Sequence, residues 1–151
     1  MYVRRYLVIF REFPIDKNSV KSGQNSSEVV TACRCVNVGL FVSGNLRRDV
    51  IVSLAVGTAD DLRVVSFPGL SLRRVSPDER SISFFLLKAI EKAQDLELGK
   101  SFKMDNGIEL VRASFDGLID LYPDIIQVPS ANPERFILDT NLSADRMENT
   151  P

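Results

Sequence analysis

The stretch DVIVSLAVGTADDLRVVSFPG, residues 49–69, contains two runs that are rich in β-branched residues. Residues 49–56 and 62–67 each have the length and the composition of a sheet strand. The polar letters GTADD connect the two runs, and the Pro-Gly pair after the second run is typical of a turn. The stretch therefore predicts two strands of a β-sheet.

The segments on either side of these strands alternate between strand and helix patterns. Residues 6–10, YLVIF, form the short apolar run that a strand buried on both faces shows. Residues 28–42 carry apolar side chains at helical spacing and predict a helix, although their β-branched valines leave a strand possible. Ser26 or Ser27 would cap this helix after a loop over 14–27. Shorter patterns then predict a strand or loop at 108–111, a helix at 115–121, and strands at 124–128 and 135–138.

This alternation predicts the fold class. Strands interleaved with helices, joined by segments long enough for crossovers, favour an α/β fold with a mostly parallel sheet and flanking helices. We expect residues 1–138 to form a single domain. Residues 139–151 lack periodicity, and we expect them to be an irregular C-terminal tail.

The segment VSPDERSISFFLLKAIEKA, residues 75–93, predicts a long helix with its own start signal. Ser76 and Glu79 have the spacing of a capping box, and Pro77 would occupy the first helical position. Capping therefore explains these letters without a reactive site. The apolar stripe of the helix is wider than one sheet face requires, because Phe84 and Leu87 extend it.

Composition and charge limit the possible functions. The chain has 151 residues, 44% of them apolar, and a net charge of -1, which indicates one soluble domain without a bulk attraction to nucleic acid. The N-terminal apolar run is too short for a signal peptide or a membrane span, so we expect a cytoplasmic protein. Histidine is absent, which excludes a histidine base and leaves no plausible metal site. The two cysteines, Cys33 and Cys35, are interpreted as core residues.

Arginine pairs are the remaining polar signal. The pairs Arg4-Arg5, Arg47-Arg48 and Arg73-Arg74 each lie at the edge of a predicted element, and capping does not explain Arg80. Guanidinium groups on a rigid scaffold can bind phosphate with two parallel hydrogen bonds. If the pairs converge, they form an RNA-binding patch together with Arg80. Solvated surface arginines are the alternative.

Three short motifs occur in order along the chain: CRCVN at 33–37, LRRDV at 46–50 and LRRVSPDERSI at 72–82. Together they closely resemble the archaeal tRNA pseudouridine N1-methyltransferase family, TrmY, of the SPOUT class, and residues 106–120 resemble it more weakly. The resemblance implies S-adenosylmethionine-dependent methylation of N1 of a T-loop pseudouridine in tRNA. It also implies a homodimer with a SPOUT-like parallel sheet and a C-terminal trefoil knot.

The chain departs from the family pattern in two places near the first long helix. The family has Gly-Arg-x-Asp at the helix start, where this chain has Ser-Glu-Val-Val at 27–30. The family also has Ser-His where this chain has Ser43-Gly44. These departures concern substrate contacts.

The resemblance also assigns the cofactor site, because the family's pocket is formed by three C-terminal segments that fold into the knot. IIQV at 125–128 resembles the first segment and FILD at 136–139 is similar to the second. Val128, Leu138 and Asp139 are therefore the implied cofactor-binding residues, and no catalytic residue is assigned. The third segment would lie beyond Pro151. We accordingly expect an incomplete knot, and we expect this chain to bind S-adenosylmethionine weakly or not at all.

Two other interpretations stay open. The chain could be a non-catalytic RNA-binding or dimer-forming remnant of the same family, in which the arginine pairs persist without a cofactor site. It could also be an unrelated α/β interaction module, which predicts no affinity for tRNA even at low salt.

Overall fold

The structure, a computed structural model, describes residues 2–121, 125–129 and 136–143, and the side chains of residues 4–121. These residues form a large sheet, a small two-stranded sheet and four helices. The elements in chain order are β1 Tyr2–Phe10, α1 Lys17–Ser22, α2 Ser27–Leu40, β2 Phe41–Val42, β3 Asn45–Leu46, β4 Val50–Thr58, β5 Asp61–Pro68, α3 Glu79–Ala93, β6 Ser101–Lys103, β7 Glu109–Ala113, α4 Phe115–Leu121, β8 Ile125–Pro129 and β9 Phe136–Ser143.

The seven-stranded sheet has the order β6-β7-β5-β4-β1-β9-β8. The α/β class is confirmed, but the sheet is mixed rather than mostly parallel. β1 and β4 pair in parallel, and the other five pairings are antiparallel. The reason is visible at the β4–β5 connection, where Thr58 pairs with Asp61 across a two-residue turn. A turn of that length can join only antiparallel strands.

Helices cover both faces of this sheet. Successive side chains of a strand point to opposite faces, so the strands contribute to a core cluster on each side. On one face α2 and α3 pack over the central strands and enclose the larger core cluster. On the other face Leu118 of α4 packs against a smaller cluster. The smaller cluster contains Leu7, Ile9, Ala55, Leu62, Val64, Val111 and Ala113.

Helix α2 begins as predicted. Ser26 is its N-cap, and the Ser26 hydroxyl accepts a hydrogen bond from the Val29 amide at 3.3 Å. Cys33 is buried, and burial, followed by the nearby Glu79 charge, raises the pKa of its thiol to about 12. A thiol that stays protonated at neutral pH is a poor nucleophile, and the core interpretation of Cys33 is confirmed.

Helix α3 begins differently from the prediction. Asp78 is the N-cap, and its carboxylate accepts a hydrogen bond from the Ser81 amide at 2.8 Å. Ser76 lies outside the helix and donates its backbone N–H to the Ser81 hydroxyl. The capping box of Ser76 and Glu79 is therefore wrong, and Pro77 precedes the cap. Aspartate caps a helix as well as serine does, and its charge also favours the positive end of the helix dipole.

This correction predicts unequal effects of two alanine substitutions. Asp78→Ala removes the oxygen that satisfies a first-turn amide, and we expect it to lower the free energy of unfolding by about 1 kcal/mol. Ser76→Ala leaves that oxygen in place and should change stability much less. Urea denaturation of both variants measures the difference. A larger loss for Ser76→Ala than for Asp78→Ala would restore the original capping box.

The predicted loop over 14–27 contains the short helix α1, which Asp16 caps and which has too few apolar residues for a periodic pattern. Strand β9 continues to Ser143, past the residue where the irregular tail was predicted to begin. Residues 144–151 lie outside the described residues. The described helices include none that is long and apolar enough to cross a membrane.

Candidate nucleic-acid interface

Three chain segments meet at one edge of the large sheet. β1 and β4 are parallel, so both begin at this edge, and the Arg4 amide donates a hydrogen bond to the Asp49 carbonyl at 2.9 Å. β5 is antiparallel to β4 and ends here, where Pro68 pairs with Ile51. We call the exposed arginines on these segments the arginine edge, and they are Arg4, Arg47, Arg48, Arg73 and Arg74.

Contacts between the segments hold part of this edge in place. The Arg48 guanidinium donates to the Leu70 carbonyl at 3.1 Å, which joins the start of β4 to the segment after β5. Arg47 Nε lies 3.8 Å from Asp49 Oδ1, and both side chains are about half exposed, at 44% and 50%. An exposed ion pair of this length contributes little to stability, so Arg47 stays open to another anion.

Two glycines allow the segment 69–73 to pass close to its neighbours. A Cβ atom at Gly69 would lie 1.8 Å from the Arg47 carbonyl oxygen, and the Gly69 amide donates to the Val50 carbonyl at 2.9 Å. On the other side, a Cβ at Gly107 would lie 2.4 Å from the Ser71 carbonyl oxygen. The segment is therefore fixed between the start of β4 and the β6–β7 turn.

The backbone near the second arginine pair is also constrained. The Arg73 amide donates to the Asn106 carbonyl at 2.7 Å. Arg74 has a φ of 65°, in the left-handed region that costs a non-glycine residue about 1 kcal/mol or more. Strain of this kind persists only where neighbouring contacts impose it. The two arginines are thus presented on a preorganised turn rather than on a loose loop.

Arg5 is not part of the arginine edge, contrary to the prediction. Its side chain is fully buried, and its Nη1 donates to the Ser53 hydroxyl at 2.9 Å and to the Ser66 hydroxyl at 3.4 Å. Neighbouring residues of a strand face opposite sides of the sheet, so Arg4 and Arg5 cannot share one surface. Arg5 instead belongs to a polar group inside the sheet.

Glu109 extends this buried polar group. It pairs with Ser66 across β5 and β7, and burial raises the pKa of its carboxyl, although Lys103 and Arg5 act in the opposite direction. Opposite charges near one another lessen the cost of burying each of them. The buried position of Arg5 therefore has a structural explanation, which the Arg4-Arg5 pair in the sequence did not reveal.

Arg80 occupies a different place from the arginine edge. It lies in the first turn of α3 and lines a groove between α3 and α1. Lys17 and Lys21 of α1 and Lys88 of α3 line the same groove. Of these four cations, only Arg80 was predicted from the sequence as a binding residue. The i, i+4 spacing of Lys17 and Lys21 was the missed signal, because residues at that spacing share one face of a helix.

The implied cofactor residues lie on neighbouring strands. In the antiparallel β8–β9 pair, Gln127 is opposite Leu138 and Ile126 is opposite Asp139, which brings Val128 near both. β9 also pairs with β1, where Leu7 is opposite Leu138. The backbone thus brings Val128, Leu138 and Asp139 together, whereas their side chains lie outside the description. Across the described side chains there is no group of three metal-ligating residues.

Comparisons with known proteins match the sequence of this chain to a family. A family model described as "Putative SAM-dependent RNA methyltransferase" matches residues 3–127, which include the whole arginine edge. The tRNA (pseudouridine(54)-N(1))-methyltransferase of Haloarcula marismortui is 34% identical over 109 residues, 72% of this chain and 52% of the relative. The protein of the same name from Methanococcus aeolicus is 38% identical over 96 residues, 63% of this chain and 46% of the relative.

A third relative extends the similarity along nearly the whole chain. The tRNA (pseudouridine(54)-N(1))-methyltransferase of Natronomonas pharaonis is 28% identical over an alignment of 162 positions, which covers 97% of this chain and 80% of the relative. The chain spans about half the length of the first two relatives. The match over residues 3–127 shows that the chain belongs to this family of SAM-dependent RNA methyltransferases.

Proposed function

We propose that this protein is a tRNA methyltransferase that transfers a methyl group from S-adenosylmethionine to N1 of a T-loop pseudouridine. The observation that carries the proposal is the family match together with the arginine edge that lies within it. The relatives are named for this reaction. We further propose that the protein works as a homodimer in the cytoplasm.

The arginine edge would bind the phosphates of the tRNA. The chain has a net charge of -1, so it needs a local concentration of cations to bind a polyanion. Four of the five arginines lie on the segments that Gly69, Leu70 and Asn106 hold in place. Guanidinium groups on a fixed backbone lose less entropy when they bind phosphate, which favours affinity.

Cofactor binding is proposed for β8 and β9. By resemblance to the family, Val128, Leu138 and Asp139 on these strands would hold S-adenosylmethionine. When bound, S-adenosylmethionine supplies an activated methyl group on a sulfonium. The protein would mainly align that methyl group with N1 of the base and exclude water, because methyl transfer depends strongly on orientation.

A non-catalytic RNA-binding role is the second candidate. The whole arginine edge and the contacts that order it are built from residues 4–107, before the strands that carry the proposed cofactor site begin. RNA binding could therefore persist without methyl transfer. Calorimetry with S-adenosylmethionine bears on the same distinction, because saturable binding to this chain would favour methyl transfer and its absence would favour the non-catalytic role.

One experiment separates these functions. The purified chain is mixed with methyl-labelled S-adenosylmethionine and with either of two tRNA transcripts, one with pseudouridine and one with uridine at the same T-loop position. We expect label in the pseudouridine tRNA alone, because uridine has a glycosidic bond at N1 and cannot be methylated there. Binding of both tRNAs without label would support the non-catalytic role. No binding of either tRNA at low salt would contradict both roles.

A further inference from the structure

A groove between α1 and α3 combines cationic side chains with an exposed aromatic ring. The groove has a volume of about 290 Å³, and it is lined by side chains of both helices. We call it the α1/α3 groove. Its charged and aromatic lining residues are Lys17, Lys21, Arg80, Phe84, Lys88 and Glu91.

The charge of this groove is strongly positive. It contains four cationic side chains against the single carboxylate of Glu91, in a chain whose net charge is -1. Within the described side chains, none of the four cations forms an ion pair with a carboxylate. Glu79 lies at the neighbouring end, where its carboxylate accepts a hydrogen bond from Asn25. A concave surface of this kind concentrates anions.

An exposed aromatic ring lies among these cations. Phe84 is 46% exposed, whereas Leu87, the other residue that widens the helix stripe, is only 8% exposed. The Phe84 ring packs edge-to-face against Phe85, with centroids 5.2 Å apart, which limits its movement. Lys88 Nζ lies 5.5 Å from the centroid of Phe84. A single exposed apolar ring is common on protein surfaces, but this ring lies in a groove among cations, where it offers a flat face on which a ligand ring can stack.

We propose that the α1/α3 groove binds an unpaired nucleotide stretch of RNA, with one base stacked on Phe84 and the adjoining phosphates bound by Lys17, Lys21, Arg80 and Lys88. Aromatic platforms inside basic grooves are how proteins bind single strands, because every base has a stacking face and every linkage has a negative charge. A duplex hides its base faces and could not use Phe84. This inference rests on the proposed function in one respect, namely that the protein binds RNA.

A second copy of the chain fits this surface less well. A two-fold symmetric contact places the same patch against itself, which would bring four cations against four cations. The apolar area offered in return is small, because Phe84 alone is exposed and Leu87 is covered. Charge complementarity therefore favours a polyanion as the occupant.

The test compares RNA shapes with and without the aromatic platform. The probes are a fluorescent RNA hairpin with a seven-nucleotide loop and a blunt RNA duplex of equal length, measured by anisotropy. We expect Phe84→Ala to weaken hairpin binding about tenfold or more and to leave duplex binding unchanged. Phe84→Tyr keeps a stacking face and should bind the hairpin like the parent. Lys21→Gln should lower the slope of log affinity against log salt by about 0.7 for the hairpin.

The chain offers a matched control for this test. Phe102 is 42% exposed and has Lys92 Nζ 4.7 Å from its ring centroid, but it lies on β6 outside the groove. Phe102→Ala should therefore leave both affinities unchanged. Thermal unfolding should show that Phe84→Ala folds like the parent, because the ring is half outside the core.

The outcomes separate this inference from the proposed function. Parent-like hairpin binding by Phe84→Ala would overturn the groove as a stacking site, while tRNA binding through the arginine edge could still stand. Failure of the parent protein to bind the hairpin would also overturn the inference, whereas the proposed function would still be decided by the tRNA labelling experiment. A change of sedimentation mass in Phe84→Ala, with RNA affinity intact, would make the groove a dimer contact and would equally overturn the inference.

Discussion

Replacing Arg47 and Arg48 together with glutamate is expected to lower the affinity for tRNA by about a hundredfold at low salt. Each lost phosphate contact removes both its Coulomb attraction and its release of counterions, and glutamate adds repulsion. The milder Arg47→Gln/Arg48→Gln variant should lower the slope of log affinity against log salt by about 1.8 if both contact duplex phosphates. Anisotropy titrations at several salt concentrations measure both quantities.

A charge-matched control separates this site from bulk charge. Arg11 and Lys100 are exposed and lie toward the opposite edge of the sheet, after the end of β1 and before the start of β6. Arg11→Glu/Lys100→Glu changes the net charge by the same amount as the first variant, and it should weaken tRNA binding much less. Equal losses in the two variants would show that the arginine edge is not the binding surface.

Gly69→Ala is expected to cause the largest loss of stability, about 3 kcal/mol. The added methyl group would lie 1.8 Å from the carbonyl oxygen of Arg47, and a backbone atom cannot rotate away as a side chain can. The segment would have to move, and the hydrogen bond from Gly69 to the Val50 carbonyl would be strained. Urea denaturation measures the stability. The remaining folded protein should also bind tRNA more weakly, because the displaced segment carries Arg73 and Arg74.

Gly117→Ala is the matched control for this substitution. Gly117 lies inside α4, where a Cβ atom would meet the Ser114 hydroxyl at 3.3 Å, and that side chain can adjust. Alanine favours the helix relative to glycine, so the change in stability should stay within about 1 kcal/mol. If Gly69→Ala were as stable as Gly117→Ala, close approach of the backbone would not be what positions the arginine loops.

Local patterns in the sequence were sufficient to predict the central strands and the long helices. The β-branched runs that became β4 and β5 and the helical spacing within α2 each depend on neighbours in the chain, which is why they could be predicted. Strand direction depends on the length of the connection. The letters GTADD were interpreted as a linker, but residues at both of its ends extend the strands and leave only two for the turn. The short turn makes β4 and β5 antiparallel, and theirs is one of the five antiparallel pairings that make the sheet mixed.

The candidate site was predictable only as a list of residue types. Arg4 and Arg5 are equivalent in sequence, and only the alternation of β1 inside the folded sheet separates the exposed residue from the buried one. Convergence of Arg47 with the segment after Gly69 depends on contacts between residues more than twenty positions apart. The two cationic lysines of α1 were missed because their helix is short and held by α3, a tertiary effect that propensity does not contain.

The pairing of β1 with both β4 and β9 has a consequence for how the protein is made. β1 is synthesised before both of its partners, and β4 soon covers one of its sides, but its other side pairs with β9, where Tyr2 is opposite Ser143. During most of translation the nascent polypeptide would therefore carry an open strand side that can recruit foreign chains. The pairing of β1 with β9 must wait until β9 is synthesised, so cellular yield should depend on chaperones that shield the open side of β1.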